Sequence, residues 1–130
     1  MTSSPQFGKV SRGSRLLKHA DFQAVYKQGK RQFSRNMTVF YHERKESDIK
    51  HPGPRVGFTV GKVLGGSVQR NRIRRRLRAA VQHHVAQLTR PLDVVLHPRK
   101  SVMTMEFAQL DSEVEQLLAA LQAGPGKMKK

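Results

Sequence analysis

One segment, from residue 67 to residue 88, combines a helical spacing of apolar residues with a dense run of arginines. On a helix with about 3.6 residues per turn, one arc of this segment is entirely apolar and must face a sheet or another helix. That apolar arc consists of Ile73, Leu77, Ala80, Val81, Val85 and Leu88. The arginines occupy the remaining faces. The segment therefore predicts a long amphipathic helix with a basic outer surface, and Ser67 is its expected N-cap.

The arginine run of this helix is unfavourable for folding and therefore indicates a ligand. Arg70 and Arg74 are like charges four residues apart, a spacing that costs about 0.2–0.5 kcal/mol per pair and that recurs twice more. The cations also crowd the N-terminal turns, where the helix dipole disfavours positive charge, and no acidic residue lies between Asp48 and Asp93. Because guanidinium groups bind phosphates bidentately, a structured RNA is the favoured partner. A solvated charged surface without a ligand is the alternative.

The composition of the whole chain agrees with a polyanionic partner. Its 130 residues include 25 Lys and Arg against 9 Asp and Glu, a formal net charge of +16. Cysteine is absent, which excludes thiolate metal sites and thiol catalysis. No segment has the length and apolarity of a membrane span, and residues 1–5 have no apolar signal-peptide region. We therefore expect a cytoplasmic protein with no membrane partner.

The order of the predicted elements is α-β-β-α-β-α. We expect a basic N-terminal arm at 1–14, a single RNA-binding domain at 15–122 and a basic tail at 123–130. Within the domain, the hydrophobic periodicity predicts helices at 16–29, 67–88 and 105–122, and strands at 37–41, 55–60 and 92–96. Such an order predicts an α+β or α/β sandwich in which helices pack on a small sheet.

A catalytic or metal site is not expected in this chain. A self-sufficient nuclease needs clustered carboxylates for two metals, or histidines placed for acid–base work. Asp111 and Glu115 have the spacing of a solvated helix face. His83 and His84 are adjacent, so they point about 100° apart on a helix and predict no simple metal pair. A histone-like DNA-binding protein is not indicated either, and no DNA partner is expected.

Three separated motifs resemble those of the bacterial ribonuclease P protein. The first is the sequence DFQAVYKQG, which ends at Gly29, and the second is RVGFTV, which begins at Arg55. The third begins at Lys62 and continues through the arginine-asparagine-arginine core of the predicted helix. Its residues are Lys62, Leu64, Gly65, Val68, Arg70, Asn71, Arg72, Ile73, Arg74, Arg75 and Arg78. Together the motifs place the resemblance over most of the predicted domain.

The resemblance implies a fold and a function. The fold would be a ribosomal-protein-like α/β sandwich with a left-handed βαβ crossover, whereas ordinary topology favours right-handed crossovers. The function would be removal of the 5′ leader of precursor tRNA, with bond cleavage by an RNA subunit that uses Mg²⁺. The protein would hold no cofactor and would be non-catalytic, binding the RNA subunit and the leader. A ribosomal or other structural RNA-binding protein is the alternative, because such a protein would have a similar charge, size and fold.

The resemblance also implies two sets of site residues. The set implied to bind the RNA subunit is Lys62, Arg70, Asn71, Arg72, Arg74, Arg75, Arg76 and Arg78. The set implied to line the leader cleft is Phe22, Tyr26, Val39 and Tyr41. From their charge, we also expect Lys27, Lys30, Arg31 and Arg35 in this cleft, in contact with leader phosphates. Aromatic side chains beside cations suit single-stranded RNA, because bases stack on the rings while the cations contact phosphates. For Phe22, ordinary core packing is an equally good interpretation.

Overall fold

A computed structural model describes residues 19–44 and 53–124. The predicted arm at 1–14 and the end of the predicted tail lie outside the described residues. The helices are α1 (His19–Gln28), α2 (Ser67–His84) and α3 (Phe107–Ala123). The strands are β1 (Lys30–Phe33), β2 (Met37–Glu43), β3 (Arg55–Phe58) and β4 (Leu92–Pro98). Within the described ranges, no helix combines the length and apolarity needed to cross a membrane.

The four strands form one mixed sheet in the order β1-β2-β4-β3. β2 pairs antiparallel with β1 and with β4, whereas β3 pairs parallel with β4. Parallel neighbours need a crossover connection, which α2 provides. The α+β fold and the predicted order of helices and strands are confirmed, with β1 as an addition. The left-handed sense of the crossover stays a prediction.

The main core lies on one face of the sheet, beneath α2 and α3. Strand alternation points Val39, Val94 and Leu96 to this face, where the apolar arc of α2 meets them. All six members of the predicted arc are buried in this core, which confirms the arc. Leu110, Val114, Leu117, Leu118 and Leu121 of α3 complete it.

The opposite face of the sheet is partly covered by α1. Val25 of α1 and Val95 of β4 are fully buried, yet neither belongs to the main core cluster. α1 packs on β2 and β4, and Gly29 lets it end close to β2. A Cβ at Gly29 would lie 2.4 Å from the carbonyl oxygen of Tyr41, too close for any other residue. The protein is thus a three-layer structure with α1 on one side of the sheet and two helices on the other.

A buried ion pair network stabilises the end of the sheet at which β2 ends and β3 begins. Asp93 is 3% exposed and receives hydrogen bonds from Arg44 and Arg55 at 2.7 and 2.8 Å. Arg44 also donates to the carbonyl of Gly53 at 2.6 Å. The two arginines therefore connect β2, β3 and β4 through a single carboxylate.

Several predicted boundaries are wrong. The edge strand β1 was not predicted, because its sequence KRQF is polar and its pairing with β2 is a tertiary contact. β3 ends at Phe58, and β4 continues through Pro98 because His97 and Pro98 still pair with β2. Ser67 is the first residue of α2, and the N-cap position belongs to Gly66. α3 begins at Phe107, two residues after the predicted start.

Candidate RNA-binding surfaces

The outer side of α2 carries the arginine run. The chain turns into this helix at Gly65, whose φ of 125° is a conformation that L side chains rarely adopt. Arg72 and Arg75 are exposed, as expected for positions opposite the apolar arc, while Arg74, Arg76 and Arg78 are half-buried on its flanks. We call the following set the arginine surface: Lys62, Arg70, Asn71, Arg72, Arg74 and Arg75.

Two arginines of α2 fasten the helix to the 3₁₀ turn Lys100–Met103 that precedes α3. Nε of Arg72 donates to the carbonyl of Met103 at 3.0 Å, and Nε of Arg76 donates to the carbonyl of Val102 at 2.9 Å. Arg76 also donates to the carbonyl of Met105. These carbonyl oxygens offset the like-charge repulsion between the two arginines. The half-buried Arg76 is therefore mainly a structural residue.

Asn71 has a positioning role on the arginine surface. Its Oδ1 accepts a hydrogen bond from Nη1 of Arg74 at 2.8 Å, which holds that guanidinium at the helix surface. Nε of Arg70 donates to the carbonyl of Gly65 at 3.2 Å, so Arg70 is held against the loop before α2. Pre-oriented guanidiniums lose less side-chain entropy when they bind phosphate.

Arg75 and Lys62 are the most available cations of this surface. Both are exposed, and neither makes a side-chain hydrogen bond or ion pair with the described residues. Lys62 lies in the 3₁₀ turn Lys62–Leu64. The apolar side chains of Val63 in this turn and of Val68 in the first turn of α2 are exposed as well. Unpaired cations beside exposed apolar groups are typical of a nucleic-acid contact surface.

A second surface lies on the face of the sheet that α1 leaves partly open. The Tyr26 hydroxyl lies 2.9 Å from Oγ1 of Thr59 and 2.8 Å from Nε2 of His97. The Tyr26 ring meets the ring of Phe40 edge-on, with centroids 5.2 Å apart. Tyr26 is nevertheless 38% exposed, so its ring combines a fixed orientation with access from solvent. We call the following set the aromatic face: Phe22, Tyr26, Arg31, Phe33, Phe40, Thr59 and His97.

The edge strand β1 extends this aromatic face. Arg31 is paired with Phe40 across the strands, and its guanidinium lies 5.4 Å from the ring centroid of Phe33 and 5.9 Å from that of Phe40. Phe33 is 60% exposed, unusual for a large apolar side chain. Exposed rings beside a guanidinium are the features on which single-stranded nucleic acids stack.

Burial lowers the pKa of His97 below its usual value. Its ring packs between Tyr26 and Phe40, with centroids 5.5 and 4.7 Å away, and such an apolar setting disfavours the imidazolium. Nε2 of a neutral His97 can accept a hydrogen bond from the hydroxyl of Tyr26. The aromatic face is therefore held together by a neutral hydrogen bond at neutral pH.

Three residues of the predicted leader cleft lie on the face of the sheet that carries the main core, opposite the aromatic face. Val39 is fully buried in the main core, and Tyr41 is only 9% exposed on that same face. Lys30 pairs with Tyr41, so strand alternation also turns it away from Arg31. The predicted residues of β2 have odd numbers and face the main core, whereas Phe40 has an even number and faces α1. Val39 and Tyr41 therefore do not belong to the aromatic face.

Of the remaining predicted cleft residues, Phe22 belongs to the aromatic face, and Lys27 and Arg35 are exposed. Phe22 is half-buried with its ring centroid 6.4 Å from that of Tyr26, so it belongs to the face without being fully in the core. Lys27 follows Tyr26 on α1 and is exposed, and Arg35 is exposed after β1. RNA contact by any of these residues stays a prediction.

Sequence reasoning missed Phe33, Phe40, Thr59 and His97. The signal that could have found Phe40 is the period of two in β2, because assigning Val39 to the core places Phe40 on the other face. For His97 and Thr59 no local signal exists. Their place depends on the antiparallel register that sets His97 beside Thr38 and on the docking of α1.

His83 and His84 contact the same side chain of the neighbouring helix, although they are adjacent in sequence. Asp111 of α3 accepts a hydrogen bond from Nδ1 of His83 at 2.8 Å and one from Nε2 of His84 at 2.9 Å. Burial acts to raise the pKa of Asp111, but hydrogen bonds and charge interactions with His84 and His83 outweigh it and lower the pKa overall. Asp111 therefore connects α3 to α2 through hydrogen bonds, whereas the sequence predicted that it lies on a solvated helix face.

Comparison with known proteins places the chain in a family. The family model of Ribonuclease P matches residues 10–122. The ribonuclease P protein component of Acidothermus cellulolyticus is 38% identical over 107 residues, which are 82% of this chain and 87% of that protein. A Staphylococcus aureus RNase P protein mutant with defective mRNA degradation activity superposes with a TM-score of 0.74 at 28% identity, covering 94% of this chain and 98% of the other.

A more distant solved structure has the same fold. The RNase P protein from Thermotoga maritima superposes with a TM-score of 0.69 at 22% identity, over 81% of this chain and 94% of that one. The family-model match spans the three motifs, both surfaces and all seven helices and strands except the last residue of α3. The chain belongs to the ribonuclease P protein family.

Proposed function

We propose that this chain is the protein subunit of ribonuclease P and holds two RNA segments at once. The arginine surface binds the RNA subunit, and the aromatic face binds the 5′ leader of precursor tRNA. The observation that carries this proposal is the pair of chemically distinct surfaces on different layers of one small domain. Family membership supports the same assignment. A cytoplasmic location belongs to this proposal as well.

The chemistry of the arginine surface suits docking on folded RNA. Its guanidiniums project from one rigid helix, and hydrogen bonds to Gly65, Asn71 and Met103 orient three of them. Several cations at fixed spacing can contact successive phosphates, which gives affinity with a strong dependence on salt. The RNA subunit, which is folded and polyanionic, is the partner that such an array fits best.

The chemistry of the aromatic face suits a single strand. Rings of Tyr26, Phe33 and Phe40 offer surfaces on which bases of any sequence stack, each worth about 1–3 kcal/mol. Arg31 lies among these rings and can contact a phosphate between stacked bases. A leader is single-stranded and varies in sequence between precursors, so stacking without base-edge readout fits its recognition.

The protein's contribution in this proposal is positioning, while the RNA subunit cleaves the phosphodiester with Mg²⁺. Mg²⁺ prefers oxygen ligands, chiefly carboxylates and phosphates. The side chains that form the two surfaces are cationic, aromatic or neutral, and none is a carboxylate. By neutralising phosphates that would otherwise repel one another, the protein lowers the Mg²⁺ that the RNA needs.

The test is multiple-turnover cleavage of a 5′-extended precursor tRNA by a bacterial ribonuclease P RNA at low Mg²⁺, with and without this protein. We expect the protein to restore cleavage at the mature 5′ end. Tight binding to the RNA subunit without any stimulation of cleavage, repeated with several RNA subunits, would contradict the proposal. That outcome would instead favour a structural RNA-binding protein of the ribosomal type.

A further inference from the structure

The last turn of α2 and the first half of α3 are joined by three potential metal ligands. His83, His84 and Asp111 each direct one ligand atom into a common space, and these atoms all lie within 4.8 Å of one another. The two imidazole nitrogens lie 2.8 and 2.9 Å from separate oxygens of the one carboxylate. Among the described residues, this is the one group of three such side chains.

We propose that His83, His84 and Asp111 bind a divalent transition-metal ion, for which Zn²⁺ is the probe. Two imidazoles and one carboxylate are a donor set that Zn²⁺ accepts, leaving a fourth position for water. Mg²⁺ and Ca²⁺ prefer sites made of oxygen alone, so this set selects against them. The site is independent of the RNA-binding proposal, because no residue of either surface contributes to it.

The geometry needs little change to admit the ion. In a tetrahedral zinc site with bonds of about 2.0–2.1 Å, the ligand atoms lie roughly 3.3 Å apart. Each histidine nitrogen must therefore withdraw from its carboxylate oxygen by about half an ångström as the proton between them is replaced by the metal. Ligand atoms that now lie as much as 4.8 Å apart must also approach one another by up to about 1.5 Å, a shift that rotation of the three side chains would supply.

The surroundings favour a cation and allow it to enter. His83 and His84 occupy the last turn of α2, where the helix dipole is negative. The side chain of His83 is 58% exposed, while those of His84 and Asp111 are 18% and 27% exposed, so one side of the cluster is open to solvent. The ring of Phe107 meets the ring of His83 edge-on, with centroids 6.0 Å apart. A bound ion would tie α2 to α3 at the end opposite the arginine-rich turns.

The experiment is a calorimetric Zn²⁺ titration of the untagged full-length chain without RNA, supported by the visible absorption of bound Co²⁺. We expect one equivalent to bind, the Co²⁺ spectrum to indicate nitrogen and oxygen ligands, and Zn²⁺ to raise the melting temperature. His83→Gln should weaken Zn²⁺ binding by about ten-fold or more and abolish the rise in melting temperature. Loss of a direct ligand should lower metal affinity at least as much as loss of a residue that only hydrogen-bonds to a ligand.

The control is His42→Gln, which removes one histidine on β2 and should leave binding unchanged. Because His83 is mostly exposed, His83→Gln should keep the fold, which its circular dichroism checks. Asp111→Asn provides a second variant that retains a hydrogen-bond acceptor while losing the charged ligand. Absence of saturable binding, or equal binding by His83→Gln and the parent chain, would overturn the proposal.

Discussion

Arg75 and Arg76 are neighbours in sequence with different physical roles. Arg75 is exposed and has no side-chain partner among the described residues, whereas Arg76 donates to two carbonyls of the segment before α3. A guanidinium that already satisfies buried carbonyls contributes to stability, and one that faces water is available for phosphate. An arginine run therefore contains both kinds of residue, and only their contacts distinguish them.

This difference predicts opposite outcomes for two adjacent alanine substitutions. Arg75→Ala should weaken binding to the RNA subunit and reduce the slope of log affinity against log salt by about one, with an unchanged melting temperature. Arg76→Ala should lower the free energy of unfolding by about 1–3 kcal/mol, because carbonyl acceptors lose their donor. Filter binding at several salt concentrations and urea denaturation measure the two effects. Equal loss of stability in both variants would contradict the assignment.

Asp93 is the buried charged residue among those the structure describes. It is buried between Arg44 and Arg55, so its removal leaves two cations without their shared anion. Asp93→Ala should lower the free energy of unfolding by about 3–5 kcal/mol, the usual cost of breaking a buried pair from one side. Glu115→Ala, at an exposed position on α3, is the matched control and should change stability by no more than about 0.5 kcal/mol. Urea denaturation of both variants checks the prediction.

At the scale of elements, the docking of α1 on the sheet creates the aromatic face. The Tyr26 hydroxyl bonds to Thr59 and His97, so α1, β4 and the end of β3 are held together at the point where rings remain exposed. Tyr26→Ala should spare docking on the RNA subunit and reduce the preference for precursor over mature tRNA. The expected loss is about 1–3 kcal/mol, the value of one stacked base.

The matched control for this substitution is Tyr41→Phe, which alters a tyrosine on the core face of the same sheet. It should leave the preference for precursor tRNA unchanged. Affinities of the assembled ribonucleoprotein for precursor and mature tRNA give the measurement. If Tyr26→Ala weakens binding of both tRNAs equally, the aromatic face is not the leader site.

The lowered pKa of His97 predicts a dependence of stability on pH. Because the unfolded chain binds a proton to this residue at a higher pH than the folded protein does, acid favours unfolding. The contribution is fully present above the unfolded pKa of about 6.5 and is lost as the pH falls from there through the folded pKa. His97→Gln should flatten this part of the profile. Urea denaturation of both proteins between about pH 8 and pH 5 tests it, and identical profiles would contradict the prediction.

At the scale of the whole molecule, the two candidate RNA surfaces lie on different layers. The aromatic face is on the α1 side of the sheet, and Arg75 points outward from α2 on the other side. The sheet and the body of α2, itself about 10 Å across, separate them. A domain with its core between two surfaces can hold two RNA segments without either blocking the other.

This separation predicts that defects at the two surfaces add. We consider the summed free energy of binding the RNA subunit and then precursor tRNA. The loss of this free energy in the double variant Tyr26→Ala with Arg75→Ala should equal the sum of the losses in the two single variants. The agreement should be within about 0.5 kcal/mol, as for distant sites. A double-mutant cycle on assembly and precursor binding measures this. A coupling energy well above that limit would indicate that the two surfaces form one continuous site.

The sequence by itself determined the long basic helix and the α+β order, because both follow from local periodicity and charge. The arc from Ile73 to Leu88 and the three motifs needed no knowledge of distant contacts, and they were enough to indicate the family. The exposure of Arg72 and Arg75 followed in the same way, since it is set by their angle from the apolar arc.

Only the tertiary structure decided which side chains share a surface. The face of β2 that meets α1 depends on strand register, so Phe40 belongs to the aromatic face while Val39 and Tyr41 face the main core. The polar edge strand β1 exists because β2 provides hydrogen-bond partners for it. His83 and His84 converge because Asp111 reaches them from another helix. The pairing of β1 and the contacts of Asp111 join residues far apart in the chain, and local periodicity carries no information about such contacts.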